Sequence, residues 1–127
     1  MIIPLWWRRA EYVRAIDGDT LEVKFDLGFG IMLEHRYAHI RLLGINTPEL
    51  NASDPAVRER ANAAKADLES LCAGRRLMVQ TFKDSREKYG RYLGQIHVVL
   101  TEDAQNATVN DVSVNQMMID RGWKAMP

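Results

Sequence analysis

The chain lacks several features that would place it in a special class. Its one cysteine, Cys72, allows neither an internal disulfide nor a cysteine-rich zinc site. It has no apolar run near the roughly 20 residues that a membrane-spanning helix needs. Its 17 basic and 17 acidic residues cancel, which argues against coating a polyanion by bulk charge. Without linkers or repeats, its 127 residues predict one domain over 1–127.

The composition is that of an ordinary folded domain. Hydrophobic residues make up 46% and charged residues 27% of the chain, which argues against intrinsic disorder. The N-terminal stretch MIIPLWWRRAEYV places its arginines after a short apolar patch rather than before a long one. Secretory signals have the opposite order, so the sequence predicts a cytoplasmic protein.

Short β-prone runs occupy both halves of the chain. Residues 11–16, 21–25 and 34–43 are predicted to form a meander, in which 17–20 (Asp-Gly-Asp-Thr) supplies the first turn. Residues 77–82 and 92–100 are predicted to form two more strands, which brings the expected number to about five.

Two stretches have helical periodicity instead. A stripe with spacings of four and three begins after Asp54 and Pro55, which suit the cap and the first helical position, and it ends at Gly74. The members of the stripe are Val57, Ala61, Ala64, Leu68 and Leu71. A shorter pattern over 112–121 predicts a second helix that stops at Gly122.

The order of three strands, helix, two strands and helix predicts a mainly β fold with helices, of the α+β class. A parallel sheet would need a helix at every crossover, and this chain has too few. The five-stranded oligonucleotide/oligosaccharide-binding (OB) barrel with two helices fits the order.

Several common kinds of site are excluded. The Asp17–Asp19 turn fails as a helix–loop–helix calcium loop, because the fifth and twelfth positions are Leu21 and Gly28. His35 and His39 lie in no HExxH motif and are interpreted as surface or lining residues. There is no phosphate-binding loop with lysine and no nucleophile elbow. The adjacent tryptophans at 6 and 7 are interpreted as packing residues.

Three polar motifs remain, at the ends of predicted strands. They are Asp17-Gly-Asp-Thr20, Arg41-Leu-Leu-Gly-Ile-Asn-Thr-Pro-Glu49 and Lys88-Tyr-Gly-Arg91. Each alone is an ordinary turn or loop signal. In this order, over roughly residues 11–123, the set resembles the staphylococcal nuclease (thermonuclease) family. That resemblance implies the same five-stranded OB-fold barrel.

The resemblance also implies a calcium site and a catalytic base. Calcium ligands would be the Asp19 carboxylate, the Asn46 side chain and the backbone carbonyl of Thr47. Asp17 would lie just behind these ligands. Glu49 matches the general base that activates water, a role that phosphodiester hydrolysis requires.

The remaining matches to the family are residues that would hold the substrate. Arg41 and Arg91 match two phosphate clamps, a role that suits the planar, permanently charged guanidinium. Lys88 and Tyr89 match residues that contact a neighbouring phosphate of the bound strand.

The chain departs from the family pattern in three respects. Asn46 stands where a metal-binding carboxylate is expected, which predicts weaker calcium binding without abolishing it. The segment between Asp19 and Arg41 is predicted to form a longer hairpin, with Gly28–Gly30 inside it. The family's final helix and its base-contacting aromatic residue have no counterpart.

The leading hypothesis is a calcium-dependent endonuclease of the thermonuclease type, which hydrolyses phosphodiester bonds in DNA and RNA. Water attack does not need the 2′-hydroxyl, and single-stranded or frayed substrates are expected. The resemblance implies products with 3′-phosphates. Neither a membrane nor an obligate protein partner is expected. Two alternatives stay open: a catalytically weak or inactive nucleic-acid-binding OB-fold module, and a domain that binds only proteins.

Overall fold

The computed structural model describes residues 1–3, 5–82 and 92–124. Its strands are β1 (Trp7–Ala15), β2 (Thr20–Asp26), β3 (Met32–Leu33), β4 (His39–Leu42), β5 (Arg76–Phe82), β6 (Tyr92–Glu102) and β7 (Ala107–Val109). Its helices are α1 (Pro55–Cys72) and α2 (Val114–Asp120), and a single 3₁₀ turn, His35–Ala38, precedes β4. No helix in these ranges is long and apolar enough to cross a membrane.

Strand pairing closes a five-stranded barrel. Strand β1 pairs with β2 and β5, β2 pairs with β4, β4 pairs with β6, and β6 pairs with β5. All of these pairs are antiparallel except β4–β6, which is parallel. The short strands β3 and β7 extend this ring at β2 and β6. The predicted α+β class and the five-stranded OB-like barrel are therefore confirmed.

The barrel is filled by one side of each strand. In β2, Leu21, Val23 and Phe25 belong to the core, while Glu22 and Lys24 lie on the outer face, where Glu22 is covered by its contacts with Arg14 and His39. Strand β4 alternates likewise, with Ile40 and Leu42 inside. This period of two is the pattern expected of strands with one face against a core. It places His39 and Arg41 on the outer face of β4.

Helix α1 begins and ends as its sequence predicts. The Asp54 side chain accepts a hydrogen bond from the Ala56 amide, Pro55 opens the helix, and Gly74 has a φ of +72°. The buried stripe contains Ala61, Ala64, Leu68 and Cys72. Burial raises the pKa of the Cys72 thiol to about 12, so this cysteine is a packing residue and not a nucleophile.

The starts of two strands and of one helix differ from the sequence prediction. The expected strand over 34–43 begins only at His39, because residues 35–38 form the 3₁₀ turn. Strand β1 begins at Trp7 and not at residue 11, since pairing with β5 extends it. Helix α2 begins at Val114 because the Ser113 side chain caps it, accepting from the Gln116 amide. The short strands β3 and β7 were not predicted.

Candidate active site

The turn between β1 and β2 is held by its own backbone and by Asp17. The Ile16 amide donates to the Thr20 carbonyl at 2.9 Å, and the Asp19 amide donates to Asp17 Oδ1 at 3.0 Å. Local bonds of this kind are why Asp is favoured in tight turns. The Asp19 side chain accepts from the Thr20 hydroxyl at 3.1 Å and is thereby fixed at the start of β2.

The loop after β4, residues 44–49, folds back onto this turn. The Leu42 amide donates to the Asp19 carbonyl at 2.8 Å, and Gly44 supplies a positive φ of +81° that turns the chain. The Thr47 amide then points at the Asp19 carboxylate, 3.4 Å from Oδ2. The two motifs that are separated in sequence thus become neighbours through Asp19.

Gly18 allows a close approach between this turn, the loop and α1. A Cβ at this position would lie 2.5 Å from the Ala64 Cβ and 2.9 Å from both Thr47 Cγ2 and Thr47 Oγ1. These separations are below any real van der Waals contact. A hydrogen at position 18 is therefore required for Thr47 to sit beside the turn.

Arg41 reaches the same place from the outer face of β4. It stands opposite Thr20 in the β2–β4 register, and its Nη2 lies 3.9 Å from Asp19 Oδ2. Farther along the same face, Glu22 Oε1 contacts both His39 Nε2 at 3.2 Å and Arg14 Nη2 at 3.1 Å. Arg41 is thus oriented toward the pocket, while the neighbouring charges are paired with each other.

Together these residues line one polar pocket of about 260 Å³. Its walls are Asp17, Asp19, Arg41, Asn46, Thr47, Pro48 and Glu49. This set contains every described residue that the sequence analysis assigned as a metal ligand, as the general base or as a phosphate-binding group. The roles themselves stay predictions. Lys88, Tyr89 and Arg91 lie outside the described residues.

Electrostatics make this pocket attractive to a cation. Asp19 is only 8% exposed, and burial followed by the hydrogen bond and charge of Asp17 raises its pKa to about 6. Arg41 and the Thr20 hydroxyl oppose the rise and do not cancel it. A bound divalent cation would supply the missing positive charge and favour the ionised carboxylate.

The donor set suits a hard cation only if uncharged oxygens take part. Within residues 1–3, 5–82 and 92–124, no group of three His, Cys, Asp or Glu side chains is placed to hold a metal ion. Asn46 and Thr47 also line the pocket, and both residues carry uncharged oxygens. Calcium accepts carboxylate, amide and carbonyl oxygens together, so the residues present fit calcium.

One buried residue that supports the site had no predicted role. Asn115 of α2 is 6% exposed, and its Oδ1 accepts from the Ile96 amide at 2.9 Å. Its Nδ2 donates to the Leu43 and Gly94 carbonyls at 2.9 and 3.0 Å. Asn115 therefore fixes the exit of β4, where the 44–49 loop begins. The sequence signal that could have identified Asn115 is its position as a polar residue on the core-facing side of a short helix.

The segment after α2 holds the same loop from its other side. The Asn46 amide donates to the Trp123 carbonyl at 3.3 Å, and Ile45 forms a bridge with Lys124. The Trp123 indole in turn donates to Asp67 of α1 at 2.8 Å. The loop is thereby connected to α1, α2 and the barrel.

Comparison with known proteins agrees with this architecture. The family model described as staphylococcal nuclease homologue matches residues 39–126. The chain belongs to the staphylococcal nuclease homologue family. The match includes β4 with Arg41, the 44–49 loop and both helices. The predicted resemblance is confirmed.

The individual proteins to which this chain is similar are identical to it at about a third of the aligned residues. An "Uncharacterized endonuclease" of Escherichia coli O157:H7 is 32% identical over 110 residues, 87% of this chain and 55% of that protein. A "Micrococcal nuclease" of Shigella flexneri is 29% identical over 94% of this chain and 59% of its own length. "Protein ParB" of Escherichia coli is 33% identical over 91% and 58%. The chain thus spans a little over half of each relative.

Proposed function

We propose that this member of the nuclease family is a calcium-dependent phosphodiesterase that cuts DNA and RNA internally. The observation that carries the proposal is the polar pocket that joins Asp19, Arg41, Asn46 and Glu49. It combines oxygen donors for a cation, a carboxylate for proton removal and a guanidinium for a phosphate. Phosphodiester hydrolysis by water needs these three functions in one place.

Asp19, the Asn46 side chain and the Thr47 carbonyl would hold the calcium ion. Held there, calcium would supply positive charge that stabilises the negative charge developing on the phosphate during hydrolysis. Asp17 supports this site through its hydrogen bond to the Asp19 amide. Asn46 keeps an oxygen donor but gives the site one negative charge fewer than a carboxylate would.

Glu49 is proposed as the general base, because it is the exposed carboxylate of the pocket and can meet a water molecule there. Arg41 would bind a nonbridging phosphate oxygen, with its guanidinium already aimed into the pocket beside Asp19. Arg91 is proposed as the second clamp, with Lys88 and Tyr89 on the next phosphate, from their sequence motif alone.

The second candidate function is nucleic-acid binding with little or no cleavage. The specific feature that favours it is Asn46, which weakens the attraction of the pocket for calcium. OB-type barrels bind single strands without chemistry in many proteins. This candidate predicts salt-sensitive binding of an oligonucleotide and no products.

The test is a cleavage assay on single-stranded DNA, duplex DNA and RNA, with calcium, magnesium or a chelator. The purified chain is expected to cut DNA and RNA in millimolar calcium and to stop in the chelator. Product ends are analysed, and 3′-phosphates are expected. Glu49→Gln should lower kcat by about a hundredfold or more while the protein stays folded.

Glu59→Gln is the matched control, since Glu59 is an exposed glutamate on α1 that does not line the pocket. It should keep the parent rate. Substrate that stays intact in calcium would contradict the proposed hydrolysis, and binding of that intact substrate would select the second candidate. Full activity of Glu49→Gln would remove Glu49 from the mechanism.

A further inference from the structure

Three residues other than glycine adopt a positive φ in the described part of the chain, and all three carry aromatic rings. They are Trp6 at 65°, Phe29 at 57° and His35 at 61°. Their side chains are exposed, Phe29 completely and Trp6 to 63%. Left-handed backbone is unfavourable for bulky residues such as Trp6 and Phe29, and strained backbone of this kind is found preferentially at functional sites.

These rings lie at the same end of the barrel. Trp6 precedes β1, Phe29 lies in the turn between β2 and β3, and His35 begins the turn before β4. Strand β6 starts here too, with Tyr92, because it runs parallel to β4. Tyr37 is 58% and Tyr92 47% exposed. We call these five residues the aromatic end.

Two of these rings share a cleft. Trp6 and Tyr92 line a cleft of about 240 Å³, together with Arg8 and the apolar side chains of Phe25, Leu27 and Leu33. The cleft is smaller than the pockets that bind drug-sized ligands, which measure roughly 300–1,000 Å³. A single planar ring placed between two aromatic side chains suits this size.

The cleft lies at the opposite end of the barrel from the candidate active site, and β4 and β6 run between the two. Tyr92 pairs with Ile40, and the next pair in the register is Leu93 with Arg41. Along β2, Phe25 of the cleft is five residues from Thr20, or about 17 Å. A nucleic-acid strand with one phosphate at Arg41, on the outer face of β4, would have to pass around the edge of the barrel over a distance of this order to place a base in the cleft.

We propose that this cleft binds an unpaired nucleobase of the nucleic-acid strand, by stacking on Trp6 and Tyr92. The proposal rests on the proposed function, since it assumes that the strand crosses Arg41. Aromatic rings beside cationic groups are the recurrent means of holding single strands. Arg8 lines the cleft, and the Arg36 guanidinium lies 4.9 Å from the Tyr37 ring centroid nearby.

The stacking site gives the chain a base contact of its own. It uses residues outside the three motifs that define the polar pocket. Bases stack without a strong preference for sequence, since each has an aromatic face. A base inside a duplex is stacked on its neighbours, so the cleft favours single-stranded over duplex substrate.

The test measures equilibrium binding in chelator, where no cutting is expected. The probes are a fluorescent single-stranded oligonucleotide, an abasic strand of equal length, and the matching duplex. Trp6→Ala and Tyr92→Ala are each expected to weaken binding of the base-containing strand about tenfold. Binding of the abasic strand should change little, and Trp6→Phe and Tyr92→Phe should retain most of the parent affinity.

The control is Leu100→Ala, which removes a 61% exposed apolar side chain from the same strand as Tyr92. It should leave all three affinities unchanged. Equal losses for the abasic strand, or an equal loss in Leu100→Ala, would overturn the stacking site. The same holds if Trp6→Ala changes only the sedimentation of the protein, because a second copy would then cover the cleft.

The binding assay separates this inference from the proposed function. If the protein binds through Trp6 and Tyr92 but never cuts, the cleft stands and the proposed hydrolysis fails. If calcium-dependent cutting is found and the two alanine variants bind every probe as the parent does, hydrolysis stands and the cleft fails.

Discussion

The two ends of the barrel differ in how firmly their side chains are held. At the polar end, formed by residues 17–20 and 44–49, the Asp19 carboxylate accepts hydrogen bonds from the Thr20 hydroxyl and the Thr47 amide and is 8% exposed. At the aromatic end, Phe29 is fully exposed and Trp6 is 63% exposed. Bond cleavage needs fixed atoms, because small displacements of reacting groups are costly. Holding a flexible strand needs accessible rings instead.

Arg41→Ala, at the polar end, is expected to have the largest effect on the rate of cleavage. Losing one preorganised clamp should lower kcat about a hundredfold, because the transition-state charge loses a donor. Arg41→Lys should recover only part of the rate, since a point charge cannot form two parallel bonds. Rates on single-stranded DNA in calcium measure this, with circular dichroism to confirm folding.

Arg14→Ala is the matched control for that variant. Arg14 is also an outer-face arginine, 59% exposed at its side chain and paired with Glu22. Exposed ion pairs contribute little, so its rate should stay within about twofold of the parent. An equal loss in both variants would mean that general surface charge, and not a clamp, accounts for the effect.

Asn115→Ala should lower the stability of the protein and weaken the attachment of the 44–49 loop to the barrel. It leaves the Leu43 and Gly94 carbonyls and the Ile96 amide without their side-chain partner, which costs about 2–3 kcal/mol of stability. Ser113→Ala, in the same helix, should cost about 1 kcal/mol through the lost cap. Urea unfolding compares the two.

Hydrogen exchange then separates stability from positioning. Amides of residues 45–47 should exchange faster in Asn115→Ala than in Ser113→Ala under conditions where both remain folded. Identical exchange in the two variants would show that Asn115 contributes only overall stability.

Gly18→Ala should force apart the turn, the loop and α1. The added Cβ would overlap Ala64 and Thr47, at a cost of about 1–3 kcal/mol. Combining it with Ala64→Gly removes one of the two overlaps and should restore part of the lost stability and calcium affinity. Calorimetric titration with calcium reports the affinity. An unchanged affinity in Gly18→Ala would show that close packing here is dispensable.

Asn46→Asp should increase the calcium affinity of the polar end. A second full charge near Asp19 attracts the cation, while repulsion among the carboxylates offsets part of the gain, so calcium should bind about tenfold more tightly. Isothermal titration calorimetry measures the change. No gain would remove Asn46 from the set of ligands.

Removing the Asp19 charge should change the stability of the metal-free protein. The folded pKa of Asp19, about 6, lies above its ordinary 3.8, so the folded state holds the proton more tightly than the unfolded state. This contribution is complete below pH 3.8 and is lost as the pH rises through 6. Asp19→Asn should therefore gain about 1–2 kcal/mol over the parent at pH 7.5 in chelator.

Urea unfolding of the parent and Asp19→Asn at pH 4 and pH 7.5 checks this sign. The advantage of the variant should shrink toward pH 4 and should also shrink when calcium is added to the parent at pH 7.5. A variant less stable than the parent in chelator at pH 7.5 would contradict the assigned direction.

Local signals were sufficient where a single residue type decides the geometry. Asp54, Pro55 and Gly74 set the ends of α1 because capping and a left-handed residue act within one turn. They were insufficient at His35, whose 3₁₀ turn interrupts a β-prone run. Trp7 packs beside His97, with ring centroids 5.5 Å apart, as expected of a packing residue, but the neighbouring Trp6 is exposed.

The sequence alone determined the main strands and helices and their order, because periodicity and capping are local properties. Its three motifs also carried the family resemblance that implied the candidate site. Only the tertiary structure decided which groups meet. The β2–β4 register brings Arg41 to Asp19, Gly18 lets α1 and Thr47 approach, and Asn115 ties α2 to the exit of β4. Such contacts join residues distant in the chain, and burial and pairing across the closed barrel select them.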